Sequence, residues 1–145
     1  MSIISTDYEN FVKRHSDGML FQSLSFGKFQ ETVPYRGKSW ALATKDGGAS
    51  CLVIKVKLPM GFSWLWAPYG PLGFKKEIFE DLKRLAEEEK AIFARIEPPM
   101  SWDKGWTDAL KKDFKICAAP HRFTPQHTLV LNLSGSEEEI LAQMK

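Results

Sequence analysis

The chain has 145 residues, of which 43% are hydrophobic and 26% charged, with a formal net charge of +2. That length suits one domain with a real core, and the composition is that of an ordinary globular protein. The charge is too small to argue for nucleic-acid binding by bulk electrostatics, and runs such as Lys75-Lys76-Glu77 and Lys111-Lys112-Asp113 mix signs as solvated helix faces do.

Ser5 or Thr6 can cap a first helix with Asp7 and Glu9 in its first turn and an apolar stripe of Tyr8, Phe11 and Val12. Asp17-Gly18 ends it. Ser23 opens a second helix in which Phe26, Phe29 and Val33 recur at helical spacing, and Pro34 stops it. A hairpin follows. Residues 38–45 alternate, with Trp40, Leu42 and Thr44 on one side, and Asp46-Gly47-Gly48 supplies the turn. Residues 49–58 put Leu52, Ile54, Val56 and Leu58 on one face and Lys55 and Lys57 on the other, which predicts a half-exposed strand.

Residues 62–71 begin as a strand, Trp64-Leu65-Trp66, and end as a stiff loop. Pro68 and Pro71 remove backbone donors, Gly70 permits a turn, and Tyr69 is held between the prolines. Trp64 and Trp66 are read as facing opposite sides of the sheet, one in the core and the other lining a groove with Tyr69. Residues 75–89 predict a helix on the face Ile78, Phe79, Leu82, Leu85 and Ala86. Residues 91–96 read as a buried strand parallel to the Trp64 strand across that helix. A short helix around Trp106, Ala109 and Leu110, a brief strand over 114–118, and a strand over 126–133 follow. Ser136 with Glu139 forms a capping box for a last helix, which looks cut short at Lys145.

Cys51 and Cys117 lie in apolar contexts and predict buried free thiols; neither their number nor any histidine spacing supports a disulfide framework or a metal site. His15, His121 and His127 fall on different elements, with no partner at a catalytic spacing. No glycine-rich phosphate loop is visible. Glu97 ends a strand before two prolines. It suits either a base or, more simply, a backbone cap or ion pair with Arg95 or Arg122. No signal peptide or membrane-length apolar run is present, so no integral membrane segment is expected. The expected location is cytoplasmic, with any membrane contact peripheral at its inner face.

Four segments in order resemble one family. Phe21-Gln22-Ser23-Leu24-Ser25-Phe26-Gly27-Lys28-Phe29 is similar to the Gln-Ser-x-x-Trp-Gly-x-Phe opening of the Fem family (FemABX), with Phe26 in the tryptophan place. Leu65-Trp66-Ala67-Pro68-Tyr69-Gly70-Pro71 resembles its aromatic-x-Pro-x-Gly-Pro segment, and Arg95-Ile96-Glu97-Pro98 its Arg-Ile-acid-Pro strand end. Residues 126–133 with the helix after Ser136 resemble the start of its most typical region. Where relatives often place an acid after the Gly-Pro, this chain reads Leu72-Gly73-Phe74.

The resemblance implies a peptidoglycan aminoacyl transferase, moving an amino acid from aminoacyl-tRNA to the stem peptide of a UDP-linked or lipid-linked muropeptide precursor. It implies a mixed α/β, GNAT-like (acyl-CoA N-acyltransferase-like) fold with a central mixed sheet flanked by helices. Residues 1–145 would then be the first of two such domains, as a fragment or a natural half-protein, with the aminoacyl-tRNA site on the second. Tyr69 is the expected muropeptide contact, with Trp66, Lys28 and Gln126 as further substrate-binding candidates. No catalytic base, metal or cofactor is assigned. An acyl-CoA acetyltransferase would need a pyrophosphate loop that the chain lacks. The alternative from another class is a non-catalytic binding or assembly module acting through a partner chain or as a homodimer.

Overall fold

The computed structural model describes residues 5–15, 20–99, 105–121, 123–125 and 133–143. Two helices, α1 (Ser5–Lys13) and α2 (Leu24–Thr32), precede strands β1 (Arg36–Ala43), β2 (Ser50–Lys57) and β3 (Ser63–Ala67). Helix α3 (Lys76–Glu88) leads to β4 (Ala94–Ile96), and α4 (Gly105–Lys111) and α5 (Glu137–Ala142) follow. The sheet runs β1-β2-β3-β4. Its first two pairings are antiparallel and the β3–β4 pairing is parallel, as expected for two strands joined through a helix. The result is a mixed α/β fold with helices packed on the sheet, consistent with a GNAT-like domain.

Each sheet face has its own core. Tyr8, Phe11 and Val12 of α1 pack with Leu52, Ile54, Val56, Trp64 and Trp66 on one face. Ile78, Phe79, Leu82 and Leu85 of α3, with Leu110 of α4, pack with Cys51, Val53, Leu65 and Ala67 on the other. Strand β2 is therefore buried on both faces through Ile54, and the expected half-exposed strand is corrected: Cys51 and Val53 are buried on the face on which Lys55 and Lys57 reach solvent. Trp64 and Trp66 also need correction. Side chains two residues apart on a strand share a face, and both indoles are buried in the same cluster.

Local signals held where they are local. Ser23 caps α2 by accepting from the Phe26 amide at 3.1 Å. The residue 44–49 turn closes through Asp46, which accepts from the Thr44 hydroxyl and the Gly48 amide and pairs with Lys75 at 3.0 Å. Ser136 and Glu139 form the reciprocal capping box on α5. The first helix starts at Ser5 itself, and Asp17-Gly18 lies outside the described residues.

Helix α2 turns a different face to the sheet than its aromatics suggested: Gly27 and Gln30 are buried while Phe29 is exposed. A Cβ at Gly27 would lie 2.9 Å from Ser39 Oγ and 3.0 Å from Leu52 Cδ1. The missing side chain thus lets the helix backbone approach the sheet. The expected buried strand at 91–96 is a three-residue strand, last in the sheet among the described residues, with Ile92, Phe93 and Ala94 exposed. Residues 114–118 form no strand; Phe114 and Ile116 turn toward the α3 core and leave Cys117 exposed, so only Cys51 is a buried thiol. The expected strand at 126–133 falls, except for Leu133, outside the described residues.

Candidate functional site

Residues 68–71 leave the sheet at the C-terminal end of β3, and Gln22 fixes their path. This fully buried amide donates from Nε2 to the Pro68 carbonyl at 2.5 Å and accepts at Oε1 from the Leu52 amide at 2.7 Å. The Gln22 carbonyl accepts from the Tyr8 hydroxyl at 2.8 Å. A buried amide with both ends satisfied fixes geometry, because no alternative arrangement keeps all partners bonded. Gly70 is required on the same account: a Cβ there would sit 2.5 Å from Gln22 Nε2. The Gly70–Pro71 peptide is cis, and Leu72 then rejoins the sheet through a reciprocal pair of bonds with Ser50 at 2.8 and 2.9 Å.

Tyr69 sits at the apex with φ of 47°, in the left-handed region that non-glycine residues avoid. Two contacts hold it there. Its hydroxyl donates to the Pro125 carbonyl at 2.5 Å, and its ring stacks on Phe21 with centroids 4.7 Å apart and planes 21° from parallel. Phe21 in turn meets Phe26 edge-on at 5.2 Å.

The segment that receives the Tyr69 hydroxyl is itself pinned by Glu97. Glu97 Oε1 accepts from the Phe123 amide at 2.6 Å and Arg95 Nε at 2.8 Å, and Oε2 from the Thr124 amide at 3.1 Å and Trp66 Nε1 at 3.2 Å. Arg95 also reaches the His121 carbonyl. Burial by itself would raise the Glu97 pKa, but the donors from Phe123, Trp66, Thr124 and Arg95 together outweigh it and hold the carboxyl below its usual range. A carboxylate stabilised as the anion by four donors is a poor proton acceptor. Of the roles open to it, Glu97 takes those of cap and ion-pair partner. Arg122 lies outside the described residues.

Phe123 carries this network outward. It meets Trp66 and Trp64 edge-on at 5.0 and 5.6 Å, and the Arg36 guanidinium lies over both Phe123 and Trp66 at 5.4 and 5.2 Å. Arg36 Nε donates to Gln30 at 3.2 Å, and among the described residues no carboxylate lies within ion-pair distance of it.

Of the sequence candidates, Tyr69 and Trp66 are brought together through residues 123–125, which bond Tyr69 directly and Trp66 by way of Glu97. Trp66 is buried, so it supports this end of the sheet from beneath. Lys28 is exposed on α2, and Gln126 lies outside the described residues. Sequence reasoning assigned no role to Phe21, Gln22, Arg36 or Phe123. A glutamine between apolar neighbours in a quoted motif was a usable signal for Gln22; the contacts of Phe123 span distances that local pattern does not reach. Among the described residues no cluster of histidine, cysteine or carboxylate could hold a metal. An open groove of about 920 Å³ lies between α1 and the residue 44–49 turn. Its charged lining carries one excess cation (Asp7 and Asp46 against Lys13, Arg14 and Lys45), and it includes Tyr8 but not Gln22, Tyr69 or Glu97.

The fold and this site define a mixed α/β domain that presents a braced aromatic loop. The comparisons name the family. The FemAB family model matches residues 3–145, and the chain belongs to the FemAB family. It is 28% identical to a lipid II:glycine glycyltransferase of Staphylococcus haemolyticus (strain JCSC1435), over 97% of this chain and 37% of that protein. It is 26% identical to the lipid II:glycine glycyltransferase of Staphylococcus aureus over the same shares. The chain thus spans 37% of the length of these curated relatives.

Proposed function

We propose that this chain is the acceptor-binding, N-terminal domain of a FemAB-type aminoacyl transferase. In this reading an amino acid moves from aminoacyl-tRNA to an amine of the stem peptide of a peptidoglycan precursor. The amine attacks the ester carbonyl, a C–N bond forms as the ester C–O bond breaks, and the amine proton leaves with the tRNA hydroxyl. The contribution of this domain is positioning, which can supply much of the barrier reduction for such a transfer. The aminoacyl-tRNA is assigned to a second domain, and the reaction to the cytoplasmic side of the membrane.

Family membership across residues 3–145 and the names of the relatives support the reaction class. The observation that carries the assignment to the loop is Tyr69 itself. A non-glycine residue held at φ of 47° by a hydroxyl bond and a ring stack is fixed before any ligand arrives. The test is calorimetric titration of the purified chain with a soluble muropeptide. Weak binding is expected, reduced at least tenfold in Tyr69→Ala and less in Tyr69→Phe. Equal binding by all three would remove Tyr69 from the site.

A further inference from the structure

We propose that the opposite end of the sheet is a docking surface for an anionic phospholipid bilayer. Three adjoining segments expose apolar side chains there. The β2–β3 connection carries Leu58, Met60 and Phe62, closed by the Leu58 amide on the Phe62 carbonyl at 2.8 Å. Tyr35 is tied alongside by the Lys57 amide on its carbonyl at 2.8 Å, and Ile92 on the other flank by its amide on the Ser63 carbonyl at 2.8 Å. Phe93 stacks on Trp64 at 5.3 Å. Hydrogen bonding across the sheet therefore makes one surface of residues far apart in sequence.

Met60 decides that the exposure is more than incidental. It is 92% exposed at the apex of a one-turn 3₁₀ segment (Pro59–Gly61) and adopts φ of 62°. Glycine or asparagine suits such a position better, and a methionine there gains nothing from packing. Tyr35 is 79% and Ile92 54% exposed. A joined group of this kind, with aromatics beside aliphatics, suits the boundary between headgroups and acyl chains.

Charge selects an anionic bilayer as the occupant. Lys57 and Lys90 are exposed beside the tip, whereas Arg36 turns its guanidinium away onto Trp66 and Phe123. Of the nearby acids, Glu89 is paired with Lys55 at 2.8 Å and Glu87 with Lys83 at 4.0 Å, which leaves Glu88 exposed on α3. Lys57 and Lys90 against Glu88 leave one cation in excess beside the tip. No described helix is long and apolar enough to cross a membrane, so contact through this surface would be peripheral. The reading above enters only as the reason for a bilayer to be near. Tyr69 follows Phe62 by seven positions, so the tip would hold the Tyr69 loop at most about 23 Å above the bilayer surface on ordinary strand rise.

The experiment is co-sedimentation of the chain with vesicles of phosphatidylcholine alone or with phosphatidylglycerol at about one part in three. Binding to the anionic vesicles is expected, weaker in high salt. Met60→Asp with Phe62→Ser should lower partitioning at least tenfold, and Lys57→Glu or Lys90→Glu about fivefold or more each. Aspartate tolerates the Met60 backbone conformation, and thermal melts check that every variant folds. The Met60 and Phe62 variants should bind soluble muropeptide as the parent does, and Tyr69→Ala should bind vesicles as the parent does, so each idea can fail separately. Absence of vesicle binding by the parent chain, or binding indifferent to Met60 and Phe62, overturns the proposal. So does self-association without lipid that the same variants abolish, because a second copy would then be the occupant.

Discussion

The two ends of strand β3 are built on opposite rules. At its C-terminal end Gln22 and Glu97 between them satisfy six hydrogen bonds, and the loop they brace holds Tyr69 in a conformation it would not choose alone. At its N-terminal end Met60 also has a positive φ, yet its side chain is exposed. Strain that surrounding bonds over-determine indicates a position defined for a specific ligand; strain left exposed on an apolar tip indicates contact with a surface that imposes no geometry. Substitutions at the two ends should therefore differ sharply in their effect on folding.

The largest effect is expected at Gln22. Gln22→Ala strands the Leu52 amide and the Pro68 carbonyl in the interior, and each unsatisfied buried group costs about 1–3 kcal/mol. A loss of ~2–5 kcal/mol in denaturant unfolding is predicted. A change under 0.5 kcal/mol, the size of an ordinary surface substitution, would mean that the loop is not braced from below.

Next comes Glu97. Glu97→Gln removes charge from four donors, including Arg95, and is expected to cost about 1–3 kcal/mol near neutral pH. Its folded pKa lies below the unfolded value of about 4.3, so its contribution is full above that value and is lost as pH falls through the folded pKa. Below about pH 4 the difference between parent and Glu97→Gln should shrink. A difference that is constant between pH 3 and pH 7 on urea unfolding would show that the carboxylate charge is not what the donors hold.

The smallest effect on folding belongs to the other end. Met60→Asn replaces an exposed side chain with one better suited to φ of 62°, and should change stability by no more than about 0.5 kcal/mol, in either direction. A thermal melt that drops by more than ~5 °C would reveal packing on Met60 and erase the contrast between the ends.

Much of this was legible in the residues because it is local. The α3 stripe, the Asp46-Gly47-Gly48 turn, the Ser23 cap, the Ser136–Glu139 box and the stiffness of residues 68–71 each depend on neighbours a few positions away. The family resemblance rested on four short segments in order, and the family match over residues 3–145 supports it. What escaped was set by distance in sequence or by counting. Trp64 and Trp66 share a face because a strand repeats every two residues, an inference that was available and was misread. Three of the four donors to Glu97 lie 26 and 27 positions later and 31 earlier, and the Tyr69 acceptor 56 later. No window on the sequence links those positions. The strand at 94–96, outermost among the described residues, resembled a buried one because its apolar run says nothing about whether another element covers it. Residue-level apolarity places Phe93 and Leu65 alike; only the sheet order separates them.

The central claim is that the Tyr69 loop is a braced contact for a muropeptide. Amide and aromatic NMR spectra recorded during a titration with soluble muropeptide test it most directly. The account predicts saturable shifts concentrated at Phe21, Tyr69 and residues 123–125, with residues 58–62 unmoved. Shifts confined to the α1 groove or the apolar tip, with Tyr69 silent at saturation, would contradict it.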